Sequence, residues 1–206
     1  MLNRRRLSSV VMVLAVGLVL VAEGCGSGDG VLGVNEGRVQ FLLSSDAEAA
    51  VPNAASPEGP VATDGDHGHG YHQFFQSASV TFSSILARNV DGVLENVTLD
   101  PPPPITVDVV SMDGGKEIML PEGQLPAATY DQVVVVMTWV EGVTLDGTTI
   151  AITPPGGGWT AIVPMCPFVV GDGGTTTVSL KFMLNQAFSW RNSRYHFQPR
   201  FVCEEI

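Results

Sequence analysis

Tyr130-Asp131-Gln132-Val133-Val134-Val135-Val136-Met137-Thr138-Trp139-Val140 is the stretch on which the fold turns. Valine is β-branched and suits an extended, pleated chain better than a helix. From Val133 to Met137 the side chains are apolar on both faces. That pattern predicts a strand covered on both sides, in the middle of the fold.

Working outward, other segments alternate with period two, the mark of a half-buried strand. Val39, Phe41 and Leu43 alternate with Arg38, Gln40 and Leu42. Ala78, Val80 and Phe82 alternate with Ser79, Thr81 and Ser83. Ile105, Val107 and Val109 alternate with Thr106 and Asp108. Val178, Leu180, Phe182 and Leu184 alternate with Ser179, Lys181 and Met183, and Tyr195 to Cys203 continues in the same manner. The predicted strands lie near 37–44, 76–88, 92–99, 104–111, 116–120, 130–140, 143–152, 160–170, 175–185 and 194–204. Four Asp-Gly pairs, beginning at Asp91, Asp113, Asp146 and Asp172, separate apolar runs and supply the positive φ of tight hairpin turns. Calcium loops are the alternative for these pairs, but none stands in a series such as D-x-D-x-D-G. The fold class is therefore all-β, a sandwich or a barrel.

Composition agrees. Charged residues are 15% of the 206, against 23 glycines and 14 prolines, which favours strands and turns over helices. The net charge is −11; without residues 1–24 it is −13, from 7 basic and 20 acidic residues. Such a surface repels nucleic acid and anionic lipid, and it keeps the protein soluble.

Residues 1–24 read as a secretory signal. Arg4-Arg5-Arg6 precede an apolar run of 13 residues, Val10 to Ala22, shorter than the roughly 20 needed to span a bilayer. The run ends at Ala22-Glu23-Gly24-Cys25, which resembles the bacterial lipoprotein processing motif; Glu23 departs from it. That resemblance implies that Cys25 is acylated with palmitate-type chains and becomes the first mature residue. Residues 25–35 would be a flexible tether and 36–206 the domain. The expected location is the cell envelope, at the outer membrane, facing periplasm or surface. An ordinary small-x-small cleavage site, giving a secreted protein, is the alternative.

Within the domain, residues 45–73 form an expected long flexible insertion, and Asp100-Pro101-Pro102-Pro103-Pro104 a stiff extended connector. Cys166 shares parity with Ile162 and Phe168, and Cys203 with Phe197 and Phe201. In an oxidising compartment the two would form a disulfide joining two strands; two separate buried thiols are the alternative. Asp64-Gly65-Asp66-His67-Gly68-His69-Gly70-Tyr71-His72 holds three of the four histidines. Asp64, Asp66, His67, His69 and His72 are candidate ligands for a divalent transition metal (Zn²⁺, Cu²⁺ or Ni²⁺), with a solvated loop as the alternative. Trp139, Trp159 and Trp190 are candidates for stacking on sugar rings or for filling a core. No G-x-S-x-G, H-E-x-x-H, P-loop or dinucleotide motif is present, and no catalytic residue is predicted.

Several segments carry a family resemblance: Gly37 to Ala47, Ala78 to Leu86, Leu125-Pro126-Ala127-Ala128-Thr129-Tyr130-Asp131-Gln132-Val133, Thr175 to Leu184 and Tyr195 to Pro199. Together they resemble the uncharacterised bacterial lipoprotein domain called domain of unknown function 4382. Ala128 departs from the glycine usual there, and the 45–73 insertion is longer than the family pattern. The resemblance implies an all-β, two-layer antiparallel β-sandwich of transthyretin-like, Greek-key type in the cell envelope and carries over no site residues. The expected role is a lipid-anchored, non-catalytic binding or structural module with an envelope protein or glycan as partner; a metal-binding lipoprotein using residues 64–72 is the alternative.

Overall fold

Period-two alternation needs two layers to bury it, and two layers form. A computed structural model describes residues 35–46, 74–112 and 114–204, with Pro155 by its backbone alone. The strands are β1 (Glu36–Ser45), β2 (Phe75–Asn89), β3 (Leu94–Asn96), β4 (Thr98–Asp100), β5 (Ile105–Asp108), β6 (Ile118–Met119) and β7 (Glu122–Pro126). They continue with β8 (Ala128–Thr144), β9 (Thr149–Ile152), β10 (Trp159–Val170), β11 (Thr175–Phe182), β12 (Phe188–Arg191), β13 (Arg194–Phe197) and β14 (Phe201–Glu204); a single helical turn, α1 (Leu184–Ala187), precedes β12.

One six-stranded sheet runs β14-β11-β1-β7-β4, with β6 also on β1. The other runs β10-β8-β2-β3, with β5 on β2 and β9 on β8. The sandwich expectation holds, with one correction to its antiparallel character: β1 and β11 pair in parallel, Arg38 opposite Thr175 through Ser45 opposite Phe182. An alternating pattern reads the same in either direction, so it carries no information about strand polarity. Inward residues of both sheets merge into one core, with Phe41, Phe75, Phe82, Ile85, Tyr130 and Phe182 all at 1% exposure or less.

The deciding stretch is the heart of the second sheet, as expected. Its outward side is shielded sideways: Val134, 9% exposed, lies between its register partners Leu86 and Ile162. The separate strands expected at 130–140 and 143–152 are joined differently. Strand β8 runs unbroken to Thr144 because a bulge opposite Thr81–Phe82 lets it continue while changing phase. Buried positions are Val133, Val135 and Met137 before the bulge, then Val140 and Gly142 after it; Thr138 and Trp139 face out in succession.

A second phase change falls where Pro164 to Phe168 of β10 passes Tyr130–Gln132, and Met165 takes φ +53° there. It corrects the parity argument for Cys166: Ile162 is 59% exposed, whereas Cys166 is wholly buried. The disulfide expectation nevertheless holds. Cys166 and Cys203 are bonded, with Cα atoms 5.2 Å apart, and they tie edge strand β10 of one sheet to edge strand β14 of the other. The prolines of β10 are tolerated because it is an edge strand.

Gly92, Gly114, Gly147 and Gly173 all take positive φ as expected, but only Asp91-Gly92 and Asp146-Gly147 close hairpins, β2–β3 and β8–β9; Asp172-Gly173 and Gly114 instead join strands of different sheets, β10 to β11 and β5 to β6. At the β8–β9 turn, Asp146 Oδ1 accepts from Thr148 N–H and Thr144 Oγ1–H, bonds that hold its carboxyl below the usual carboxylate range. The run expected at 92–99 crosses between layers at Val97, splitting into β3 and β4, and the proline connector carries the chain from β4 back to β5. Tyr130 is fully buried, and its hydroxyl donates to the Pro126 carbonyl at 2.8 Å. The bond has the form of a tyrosine corner, a phenol reaching back to the backbone four residues upstream, and it explains the Leu125–Tyr130 segment physically. Burial, and then the nearby Glu95 charge, push the Tyr130 phenol up.

Candidate functional site

Strands β12 and β13 form a hairpin apart from the two main sheets. Register places Phe188 opposite Phe197, Ser189 opposite His196, Trp190 opposite Tyr195 and Arg191 opposite Arg194. Alternation then gives the hairpin two unlike faces. Phe188, Trp190, Tyr195 and Phe197 share one face; Ser189, Arg191, Arg194 and His196 share the other.

The aromatic face seats the hairpin. Phe75 of β2 lies 5.0 Å, centroid to centroid, from both Phe188 and Tyr195, and Phe197 meets Trp159 edge-on at 5.0 Å. Phe75 fits because β8 offers Gly142 beneath it: a Cβ there would lie 2.5 Å from the Phe75 ring. Gln198 N–H closes the hairpin base on the Ala187 carbonyl at 2.8 Å. Burial first, then the Asp146 charge, raise the Tyr195 phenol, so it stays protonated at neutral pH as a donor.

The tip is less comfortable. Asn192 and Ser193 take φ +49° and +57°. A two-residue turn of this type requires left-handed conformations at both positions, and neither residue is glycine. Like charges directly opposite across a hairpin destabilise it, and Arg191 faces Arg194.

Between the hairpin and the β9–β10 connection runs an open groove of about 550 Å³. Ile152, Thr153, Trp159 and Thr160 form one wall. Ser189, Arg191, Asn192, Tyr195, His196 and Gln198 line the other. Trp159 is 8% exposed and makes the apolar floor, while Trp190 beside the groove is 38% exposed. His196 Nε2 donates to the Arg191 carbonyl at 3.2 Å, tying the two strands near the tip.

Of the residues singled out from sequence, Cys166 and Cys203 are brought together as a disulfide. Cys25, Asp64, Asp66, His67, His69 and His72 lie outside the described residues, as do the leader and most of the 45–73 insertion; Ser45 itself ends β1. The three tryptophans separate: Trp159 is buried, whereas Trp139 and Trp190 are exposed. The arginine pair was missed because chain-wide charge hides it. The signal was present: residues 173–203 contain no Asp or Glu, but do contain Lys181, Arg191, Arg194 and Arg200.

No curated protein matches the chain. Among solved structures, it is similar to a leucine-rich repeat protein from Bacteroides thetaiotaomicron VPI-5482, at 15% identity and a TM-score of 0.26. That alignment covers 75% of this chain and 14% of the other, so the present chain spans a small fraction of that protein's length. A family model described as Domain of unknown function (DUF4382) matches residues 70–199, from just before β2 to the end of the hairpin. The chain thus belongs to the DUF4382 family.

Proposed function

We propose that this protein is an exported, lipid-anchored component of the bacterial cell envelope whose transthyretin-like β-sandwich serves as a non-catalytic binding module. The observation that carries the export reading is the Cys166–Cys203 bond, since structural disulfides persist in oxidising compartments outside the cytosol. The leader ending at Gly24-Cys25 supplies the route and the acylation site. Several acyl chains at about 0.8 kcal/mol per buried CH₂ anchor a protein stably. The non-catalytic reading is supported by the titratable groups that shift among the described residues, Tyr130, Asp146, Lys181, Tyr195 and Glu204. Burial or structural hydrogen bonds account for each.

The test is membrane partitioning of wild type and Cys25→Ser. Wild type is expected in the detergent phase and the variant in the aqueous phase; a variant that still follows the membranes would refute acylation at Cys25. A second reading rests on the spacing of Asp64, Asp66, His67, His69 and His72, which suits a transition metal. Zinc titration decides it: micromolar affinity lost on deleting 64–72 supports it, and affinity no better than millimolar removes it.

A further inference from the structure

We propose that the groove beside the β12–β13 hairpin is a binding site for an acidic saccharide chain, with Arg191, in the groove's lining, and Arg194, opposite it across the hairpin at the groove's rim, meeting its charged group. This deepens the binding-module reading by naming a site and a ligand class.

The first argument is charge accounting. In a protein of net charge −11, carboxylates outnumber cations about twofold, so two adjacent cations without a carboxylate are conspicuous. Arg38 pairs with Glu122, Arg88 makes a two-point contact with Asp131, and Lys181 pairs with Glu204. Arg200 donates to Gln186. Among the described residues, Lys116, Arg191, Arg194 and Arg200 have no carboxylate partner, and of these only Arg191 and Arg194 stand directly opposite each other, both exposed.

The second argument is local cost. A like-charge cross-strand pair and a turn with two left-handed non-glycine residues fall within four consecutive positions, Arg191 to Arg194. Local rules broken together at one place mark sites kept for binding rather than for stability. An oxyanion between the two guanidinium groups turns their mutual repulsion into two charge-assisted hydrogen-bonded contacts.

The third argument is the character of the groove. Its volume of about 550 Å³ lies in the range of small-ligand sites. Thr153, Thr160, Asn192 and Gln198 offer hydroxyl and amide groups to sugar hydroxyls, and Tyr195, half-buried in the same lining, offers part of an aromatic ring. A membrane surface fits less well. Trp190 leans edge-on against Tyr195 with centroids 4.5 Å apart rather than projecting freely, and the surface is concave.

The experiment is calorimetric titration of the purified full chain with a galacturonate tetramer, its methyl ester, a phosphorylated mannose oligomer and phosphatidylglycerol vesicles. One or both acidic saccharides are expected to bind, and the ester is not. Whichever acidic arm responds identifies carboxylate or phosphate as the charged group. The double variant Arg191→Gln, Arg194→Gln should weaken binding about tenfold or more, as loss of a charge-assisted contact does, without lowering the melting temperature, because the repulsion is relieved as well. The proposal fails if neither acidic saccharide binds up to millimolar concentration, if the double variant binds as wild type does, or if only the vesicles bind. These measurements use purified protein whether or not it is acylated. Failure here therefore leaves the export reading standing, and failure of the partitioning test leaves this site standing.

Discussion

Removing the disulfide is expected to unfold this sandwich far more readily, and the size of the effect can be worked out. Cys166 and Cys203 are separated by 37 positions. Closing a loop of that length removes about 13 cal/mol/K of entropy from the unfolded chain, or about 4 kcal/mol at 25 °C. For a small domain, urea lowers stability by about 2 kcal/mol per molar, so the unfolding midpoint should fall by about 2 M. The double variant Cys166→Ala, Cys203→Ala is compared with oxidised wild type by tryptophan fluorescence in urea. Wild type with reductant provides a second reduced form without any substitution. The closed loop contains β11 and the whole β12–β13 hairpin. Hydrogen exchange of residues 188–197 should therefore quicken in the variant more than exchange in β1 or β2. Midpoints for oxidised and reduced protein agreeing within about 0.5 M would refute the reasoning, as would two thiols alkylated in unreduced protein from the native source.

Other expectations follow from single contacts. Gly142→Ala places a Cβ 2.5 Å from a Phe75 ring already held by Phe188 and Tyr195; overpacking of this kind costs about 1–3 kcal/mol, so thermal melting should fall by several degrees, and an unchanged midpoint would contradict the packing. Tyr130→Phe removes the bond to the Pro126 carbonyl, which water can reach in part; the expected loss is about 1 kcal/mol in denaturant unfolding, and no loss would show the corner to be ornamental. Glu204 is held below its ordinary value of 4.5 chiefly by the hydrogen bond from Lys181, so its contribution is present above that pH and disappears as pH falls through the lower, folded value. Lys181 is raised above 10.5 by the same bond, so its contribution is present below that pH and is lost as pH rises beyond the folded value. Each group is about a third exposed, so the effect is small; Glu204→Gln should lower the middle of the stability profile slightly and leave its acid and alkaline extremes where they are, so that both limbs become shallower, and an unaltered acid limb would exclude this role for the pair.

Much of the sandwich was legible in the sequence because burial imposes a period, and Val39 to Leu43 or Val178 to Phe182 can satisfy theirs in only one secondary structure. Turn positions were legible because Asp-Gly has few other uses. Strand polarity was not, since β1 could have met β11 in either direction with the same faces buried. Phase was lost where bulges intervened: Ile162 and Cys166 have equal parity but opposite exposure because the chain is re-phased at Pro164–Met165. Strand β7, Glu122-Gly123-Gln124-Leu125-Pro126, escaped notice because a glycine fills one of its inward positions, where Val97 and Leu99 leave no room for a side chain. The run expected at 194–204 proved to be two strands parted at Gln198–Arg200. The hairpin turn escaped because Asn192-Ser193 lacks the glycine that normally announces it. The groove itself joins residues from 152–160 and 189–199, a neighbourhood that only the folded chain creates.

The parallel contact between β1 and β11 has a consequence for the order of assembly. The first strand of the domain sits inside its sheet, yet its neighbour on one side is completed only when residue 182 has been made. Until then β1 presents an open row of amides and carbonyls, and long-range pairing of this kind is slow. A chain built in this way stays open for most of its synthesis. That delay makes the waiting strand a natural foothold for a chaperone.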